Sequence, residues 1–199
     1  MSLGLPPASL ATTKLDLQEV NPAKLFRISR HNSGEPYFGR SGLNRFDAPD
    51  HTYGTCYFGL NLACAFAETV LHDRTAVNGS FPLQYADLEQ RWVVRFKGQD
   101  KLRLAVFRGA SLKKLGADGR VSTVVPYAEP QAWSKALHAH PEQVDGFVYQ
   151  SRHLNTEPAI VLFDRCSAKL TNSPSGYKNF LDYPRALRLL QAFSVSLTS

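Results

Sequence analysis

Three polar side chains lie within segments that are otherwise apolar: Arg27, Glu68 and Ser151. A charge buried without a partner destabilises a protein strongly, so charges in such segments require a counter-charge or a ligand. The sequence Arg-Phe-Asp at residues 45–47 lies in the stretch that connects the first two segments. The pattern therefore predicts one cleft that is built from distant parts of the chain.

Each of these residues also has an ordinary structural interpretation. Arg27 alternates with Phe26 and Ile28 in a predicted strand, where it either reaches solvent or points into a cleft to bind phosphate or carboxylate. Glu68 lies at the edge of the apolar stripe of a predicted helix, so it is either a surface carboxylate or a group that stabilises positive charge. Ser151 has no Gly-x-Ser-x-Gly context, which argues against a hydrolase nucleophile.

Other motifs carry less information. Tyr53 and Tyr57 flank a turn, and they are either core aromatics or flat rings that stack against a ligand. The Gly-x-x-Gly sequence at residues 39–42 is a weak signal for phosphate contacts, because the sequence lacks the hydrophobic helices of a nucleic-acid module. His138 and His140 do not have the His-x-x-x-His spacing of a helical metal site.

The composition favours a globular protein with an anionic ligand. The 199 residues carry a net charge of +6 with an isoelectric point near 9.3, which suits a phosphate-bearing small molecule, a nucleic acid or an acidic protein. The basic residues are dispersed, unlike the dense stripe typical of nucleic-acid binding. Three cysteines without Cys-x-x-Cys spacing argue against a disulfide scaffold or a zinc site. No signal peptide or membrane span is predicted, so the expected location is the cytoplasm.

The hydrophobic patterns predict the elements that must position these residues. We expect strands at residues 24–29, 55–59, 91–97, 102–108, 147–149 and 159–163, and helices at residues 62–72 (with Asn61 as N-cap), 130–140 and 184–193. Residues 30–52 form a long polar loop, and long loops are commonly functional. The elements follow no regular βαβ rhythm, which favours a single mixed α+β domain with antiparallel-rich sheets and flanking helices. Residues 1–20 are expected to be a leader that precedes a domain at residues 21–199.

Five segments of the chain, in this order, resemble the RES-domain family, which is named for its Arg, Glu and Ser. The family's Leu-Tyr-Arg, Arg-Phe-Asn, Leu-Tyr-Leu-Ala, Ala-x-x-Glu and Gly-Ile-x-x-x-Ser motifs are matched by residues 25–27, 42–47, 56–59, 65–68 and 146–151. In the second segment two residues separate the glycine from the arginine. The best-matched core runs over residues 24–164.

The resemblance implies both a fold and a function. Members of the family are toxins of toxin–antitoxin pairs, usually neutralised by a Xre-type helix-turn-helix antitoxin. They resemble mono-ADP-ribosyltransferases in fold and consume NAD+ by hydrolysis or phosphorolysis, or modify a protein. NAD+ is then a substrate and not a cofactor, and no metal is needed. A homodimer is plausible, whereas membrane binding and direct nucleic-acid binding are not expected.

The resemblance also implies roles for individual residues. Glu68, Arg27 and Tyr57 are expected to be catalytic: Glu68 stabilises an oxocarbenium-like transition state, and Tyr57 positions the nicotinamide or ribose. The expected substrate-binding residues are Arg45, Ser151 and Tyr53. Arg27 and Arg45 would hold the pyrophosphate.

Two other functions remain open on the sequence alone. A protein mono-ADP-ribosyltransferase would use the same site with a protein as the acceptor. The positive charge also permits a nucleic-acid-binding or RNA-cleaving toxin, although no dense basic stripe supports it.

Overall fold

The computed structural model describes residues 3–198, and for residues 172–175 it describes the backbone alone. The strands are β1 (Leu17–Val20), β2 (Phe26–Ser29), β3 (Thr55–Gly59), β4 (Phe81–Gln84), β5 (Trp92–Lys97), β6 (Leu102–Phe107), β7 (Gly146–Gln150), β8 (Pro158–Phe163), β9 (Thr171–Asn179) and β10 (Val195–Thr198). The helices are α1 (Leu62–Thr69), α2 (Tyr85–Glu89), α3 (Gly109–Lys114), α4 (Ala128–His138) and α5 (Ala186–Ala192).

A mixed sheet of eight strands forms the centre of the molecule, in the order β1-β6-β7-β8-β3-β2-β5-β9. Its pairs are antiparallel except for β6 and β7, which run parallel. Strands β4 and β10 form a separate two-stranded parallel sheet. The predicted α+β class is therefore confirmed.

Strands β7 and β8 are apolar because both faces of the sheet are covered. Along β8, Val161 and Phe163 pack into a cluster with α4, whereas Ile160 and Leu162 pack into a second cluster on the other face. All four are fully buried. Continuous apolar runs are typical of strands that are covered on both sides, which is why the sequence located these strands correctly.

Helix α1 closes against the sheet and carries Glu68 in its last turn. The predicted cap is confirmed, because the Asn61 side chain accepts a hydrogen bond from the Cys64 amide at 2.7 Å. Gly59, the last residue of β3, permits this closure, since a Cβ there would lie 2.6 Å from the Ala65 nitrogen. The helix ends at Thr69, three residues before the predicted end.

Two other helices begin two residues away from the starts that we predicted. Helix α4 begins at Ala128, so that Pro130 lies in its first turn, where the missing amide costs no intrahelical hydrogen bond. Helix α5 begins at Ala186, two residues after the Pro184 at which we expected it. Within residues 3–198, no helix has the length and hydrophobicity required to cross a membrane.

The N-terminal segment packs on the same core as the rest of the chain. Leu10 and Leu15 are each 3% exposed and belong to the cluster that contains Trp133 of α4. Strand β1 then pairs with β6 at one edge of the large sheet. From residue 3 onward, the stretch expected to be a leader contributes to the hydrophobic core.

This packing predicts that the N-terminal segment stabilises the fold. Leu10→Ala should lower the free energy of unfolding by about 2–5 kcal/mol, because it leaves a cavity in the cluster. Leu5→Ala is the matched control, since Leu5 is 70% exposed; it should change the free energy by less than about 0.5 kcal/mol. Urea unfolding followed by circular dichroism measures both, and equal midpoints for the two variants would contradict the packing.

Candidate functional site

A cleft of about 510 Å³ opens between β2, β3, α1 and the loop at residues 41–47. Four of the residues expected at the site line it: Arg27, Arg45, Tyr57 and Glu68. Its other polar and aromatic lining residues are Phe26, Asn44, Phe58, Thr69, His72, Asp73, Ser122, Tyr127, Tyr149, Arg152 and His153. The cleft is therefore rich in charged and aromatic groups.

The Glu68 carboxylate is held in place by two hydroxyl groups from the β7 segment. Tyr149 donates to Oε2 at 3.3 Å, and Ser151 donates a short hydrogen bond to Oε1. Burial raises the pKa of the Tyr149 hydroxyl well above its ordinary value, and the charge of Glu68 raises it further, so this group remains a donor. These two donors orient the carboxylate at the wall of the cleft.

Ser151 lies behind Glu68 and not at the surface of the cleft. It is 1% exposed, and its Oγ accepts a hydrogen bond from the Leu154 amide at 2.9 Å while it donates to Glu68. With both functions of the hydroxyl in use, Ser151 is placed to orient Glu68. The expected direct hydrogen bond from Ser151 to a ligand has no support in this geometry.

Arg27 has an acidic partner that the sequence pattern did not reveal. Its Nε donates to Glu35 Oε2 at 2.7 Å, and its Nη1 donates to the Tyr57 carbonyl at 3.1 Å. The Glu35 side chain is only 4% exposed, and that of Arg27 is 22% exposed. The sequence offered no nearby acid for Arg27, but Glu35 comes from the long loop, which folds back over β2. Much of the charge of Arg27 is thus matched within the protein.

Arg45 lines the cleft and keeps one buried donor without a partner among the described residues. Its Nη1 donates to the Val124 carbonyl at 2.6 Å, and its guanidinium lies 4.5 Å from the centre of the Tyr127 ring. Its Nη2 is buried and has no hydrogen-bond partner among the residues that the structure describes. Burial lowers the pKa of Arg45 from its ordinary value. A buried donor without an acceptor is costly, so this atom is suited to a ligand oxygen.

Asp47 holds the loop that carries Arg45. Its carboxylate is fully buried and accepts hydrogen bonds from Ser41 Oγ, from the backbone and side chain of Asn44, from Thr55 Oγ1 and from the Tyr57 hydroxyl. The bond from Thr55 measures 2.6 Å. Two of these donors lie on β3, so the network fastens the loop to the central sheet.

Tyr57 lies in the cleft with its hydroxyl turned towards the protein. This oxygen donates to Asp47 at 3.2 Å and accepts from the Phe46 amide at 3.0 Å. Burial raises the pKa of the Tyr57 hydroxyl well above its ordinary value, and the charge of Asp47 adds to the rise. The ring, and not the hydroxyl, is therefore the part of Tyr57 that is available to a ligand.

Tyr53 lies outside the cleft. It is 2% exposed, its hydroxyl is 3.1 Å from Ser134 Oγ, and its ring stacks on His138 with the ring centres 3.9 Å apart. Its position between α4 and β8 gives it no surface for a ligand. The expectation that Tyr53 binds substrate is not supported, and its interpretation as a core aromatic fits the structure.

Several cleft residues escaped the sequence analysis. Tyr127, Arg152 and His153 occupy segments without a functional motif, and Tyr149 was recognised only as part of an apolar strand. The signal that was available for Arg152 and His153 is their position directly after Ser151. Among the described residues, no three His, Cys, Asp or Glu side chains form a group that could hold a metal ion.

Comparisons with known proteins identify the family of the chain. Residues 24–181 match the RES domain. The chain belongs to the RES domain family. A Sinorhizobium fredii (strain NBRC 101917 / NGR234) protein named probable toxin y4kH is 31% identical over 120 residues, which is 60% of this chain and 92% of that protein.

A solved structure is similar in fold to this RES-domain protein. It is the crystal structure of the M. tuberculosis MbcT–MbcA toxin–antitoxin complex, with a TM-score of 0.60 over 94% of this chain and 98% of the other chain. The identity is 12%, so this likeness concerns the fold alone.

The ion pair between Arg27 and Glu35 leads to a prediction about stability. Arg27→Ala should lower the free energy of unfolding by about 3–5 kcal/mol, because it leaves the Glu35 carboxylate buried without its counter-charge. Adding Glu35→Gln should recover part of the loss, whereas Arg30→Ala, at an exposed neighbouring position, should have little effect. Chemical denaturation is carried out on Arg27→Ala, on Glu35→Gln, on the double variant and on Arg30→Ala. The first three give the coupling energy between Arg27 and Glu35. Additive effects of Arg27→Ala and Glu35→Gln would show that the pair contributes nothing.

Proposed function

We propose that this protein is the toxin of a toxin–antitoxin pair and that it degrades NAD+ by cleaving the bond between nicotinamide and ribose. The observation that carries the proposal is the Glu68 carboxylate, which two buried hydroxyl donors orient at the wall of a cleft that also contains the unused donor of Arg45. Membership of the RES domain family and the relative named as a probable toxin support it.

The chemistry of the bond explains why a carboxylate is required. When the bond from ribose C1′ to the nicotinamide nitrogen breaks, its electron pair moves to the ring, and nicotinamide leaves as a neutral molecule. The ribose then carries oxocarbenium-like positive charge. A fixed anion beside this charge stabilises the transition state more than the ground state. Because nicotinamide leaves as a neutral molecule, Glu68 does not have to donate a proton to the leaving group.

The acceptor completes the reaction at C1′. An oxygen of water or of inorganic phosphate forms the new bond, and water loses a proton in doing so. The products are ADP-ribose for water and a 1-phosphorylated ADP-ribose for phosphate. The Tyr57 and Tyr127 rings border the space and offer flat apolar faces for the nicotinamide or the adenine.

Product analysis tests the proposal directly. The purified protein is incubated with NAD+ in phosphate-free buffer and again with phosphate, and the products are identified by chromatography and mass spectrometry. Free nicotinamide must accumulate in at least one of the two conditions. If nicotinamide is released only when another protein is added and becomes labelled, the protein ADP-ribosyltransferase replaces the present proposal.

The role of Glu68 yields a specific prediction. Glu68→Gln should fold normally and reduce NAD+ turnover by on the order of a hundredfold or more, equivalent to about 3 kcal/mol, because the neutral amide cannot offset the developing charge. Glu89→Gln, the same change on the exposed face of α2, should retain full turnover. Wild-type turnover in a folded Glu68→Gln protein would remove Glu68 from the mechanism.

A second prediction concerns the cell that makes the protein. Expression of the protein alone should deplete cellular NAD+ and arrest growth, since an active enzyme of this type consumes a cofactor that the cell requires. Co-expression of a Xre-type antitoxin encoded beside it should restore both, and the Glu68→Gln variant should be harmless. Growth arrest with an unchanged NAD+ pool would contradict NAD+ cleavage and favour an RNA-cleaving toxin.

A further inference from the structure

Arg152 brings a second guanidinium to the cleft from the residue that follows Ser151. Its Nε donates to His153 Nε2 at 2.9 Å. Arg152 is exposed, and its two Nη atoms form no hydrogen bond with the residues that the structure describes. Across the part of the chain that the structure describes, no carboxylate forms an ion pair with Arg152.

Arg45 lines the same cleft and, like Arg152, has no carboxylate partner among the described residues. Its Nη2 is buried without an acceptor, and no carboxylate in residues 3–198 pairs with it. Burial is the main cause that lowers the pKa of Arg45, and the positive charge of Arg152 lowers it further. Both guanidinium groups line the same cleft, so an anion bound between them would interact favourably with both charges.

The other charged groups of the cleft are already engaged. Arg27 is paired with Glu35, and the two oxygens of Glu68 accept from Ser151 and Tyr149. Guanidinium groups bind phosphate oxygens through charge-assisted hydrogen bonds, so two of them that lack a carboxylate partner are a suitable pair for a phosphate group. The position for an anion therefore lies beside Arg45 and Arg152, and not beside Arg27.

We propose that Arg45 and Arg152 together form a subsite for a phosphate group and that His153 positions Arg152 within it. The inference rests on the proposed function for the identity of the ligand, since the phosphate belongs either to the diphosphate of NAD+ or to inorganic phosphate that acts as the acceptor. Both ligands present the same tetrahedral anion to the two arginines.

Equilibrium binding tests the subsite without any turnover. Isothermal titration calorimetry is carried out with ADP-ribose, adenosine and inorganic phosphate on the wild-type protein, on Arg152→Gln and on Arg188→Gln. The last is a matched control, because Arg188 is exposed on α5, outside the cleft. Arg152→Gln should bind at least one phosphate-bearing probe about tenfold more weakly and adenosine equally well, and Arg188→Gln should match the wild type.

Steady-state kinetics then identify the source of the phosphate. If Arg152→Gln raises the KM for NAD+ in phosphate-free buffer, the subsite holds the diphosphate of the substrate. If it raises only the phosphate concentration needed for phosphorolysis, the subsite holds the acceptor. A variant that equals the wild type in all binding and kinetic measurements overturns the subsite.

Two variants of His153 test whether this residue positions Arg152. His153→Phe removes the acceptor that holds Arg152 and should weaken binding of the same probe as Arg152→Gln does. His153→Gln offers an amide oxygen in its place and should restore most of the affinity. Equal losses in the two variants would overturn the positioning role.

Different experimental results would contradict the proposed NAD+ cleavage and the proposed phosphate subsite. A wild-type protein that binds ADP-ribose through Arg152 but releases no nicotinamide contradicts the proposed reaction and supports the subsite. A protein that cleaves NAD+ with the same KM and the same phosphate dependence after Arg152→Gln supports the reaction and contradicts the subsite.

Discussion

The buried carboxylate of Asp47 is the interaction on which the geometry of the cleft depends. It accepts hydrogen bonds from the loop that precedes it and from two residues of β3, so that the loop and the sheet share one charged acceptor. An ionised group can be fully buried at tolerable cost only when several donors surround it. The same network turns the Tyr57 hydroxyl inward. Arg45, two residues before Asp47, is thereby fixed at the wall of the cleft.

A second constraint comes from α4, which supports the loop from the opposite side. The Gln131 side chain donates to the Gly42 carbonyl at 2.8 Å and to the Asn44 carbonyl at 3.0 Å. Gly42 adopts a positive φ of 72°, a conformation that suits glycine. The loop at residues 41–47, which contains Arg45, is thus held by backbone and side-chain contacts at both of its sides.

Sequence reasoning located the strands and helices that carry a strong hydrophobic pattern. Strand β3 was predicted at its observed bounds and β8 within one residue, because their central residues are apolar on both faces. Strands β1, β4, β9 and β10 and helix α2 were not predicted, and α3 was not predicted as a helix. Strand β9 contains Pro174 and Gly176, and β10 alternates small polar residues with apolar ones. Their existence depends on pairing with β5 and β4, which no local pattern reveals.

The candidate site divides in the same way. Arg27, Arg45, Tyr57 and Glu68 were found because a polar residue in an apolar segment, or a motif, marks them. Tyr53 was assigned wrongly to the cleft, since an aromatic residue beside a turn is equally compatible with the core. Glu35 and Asp47 could not be assigned as partners, because their roles depend on how the long loop folds back over β2 and β3.

The hydrogen bonds of the cleft differ greatly in the sequence separation between donor and acceptor. Those of Asp47 connect residues at most 10 positions apart, so closing them costs little chain entropy. Those that orient Glu68 connect residues 81 and 83 positions apart, and they form only when β7 has joined the sheet between β6 and β8. A partly folded chain in which β7 has not joined the sheet therefore lacks an oriented carboxylate. Any activity that depends on Glu68 accordingly requires that β7 has joined the sheet.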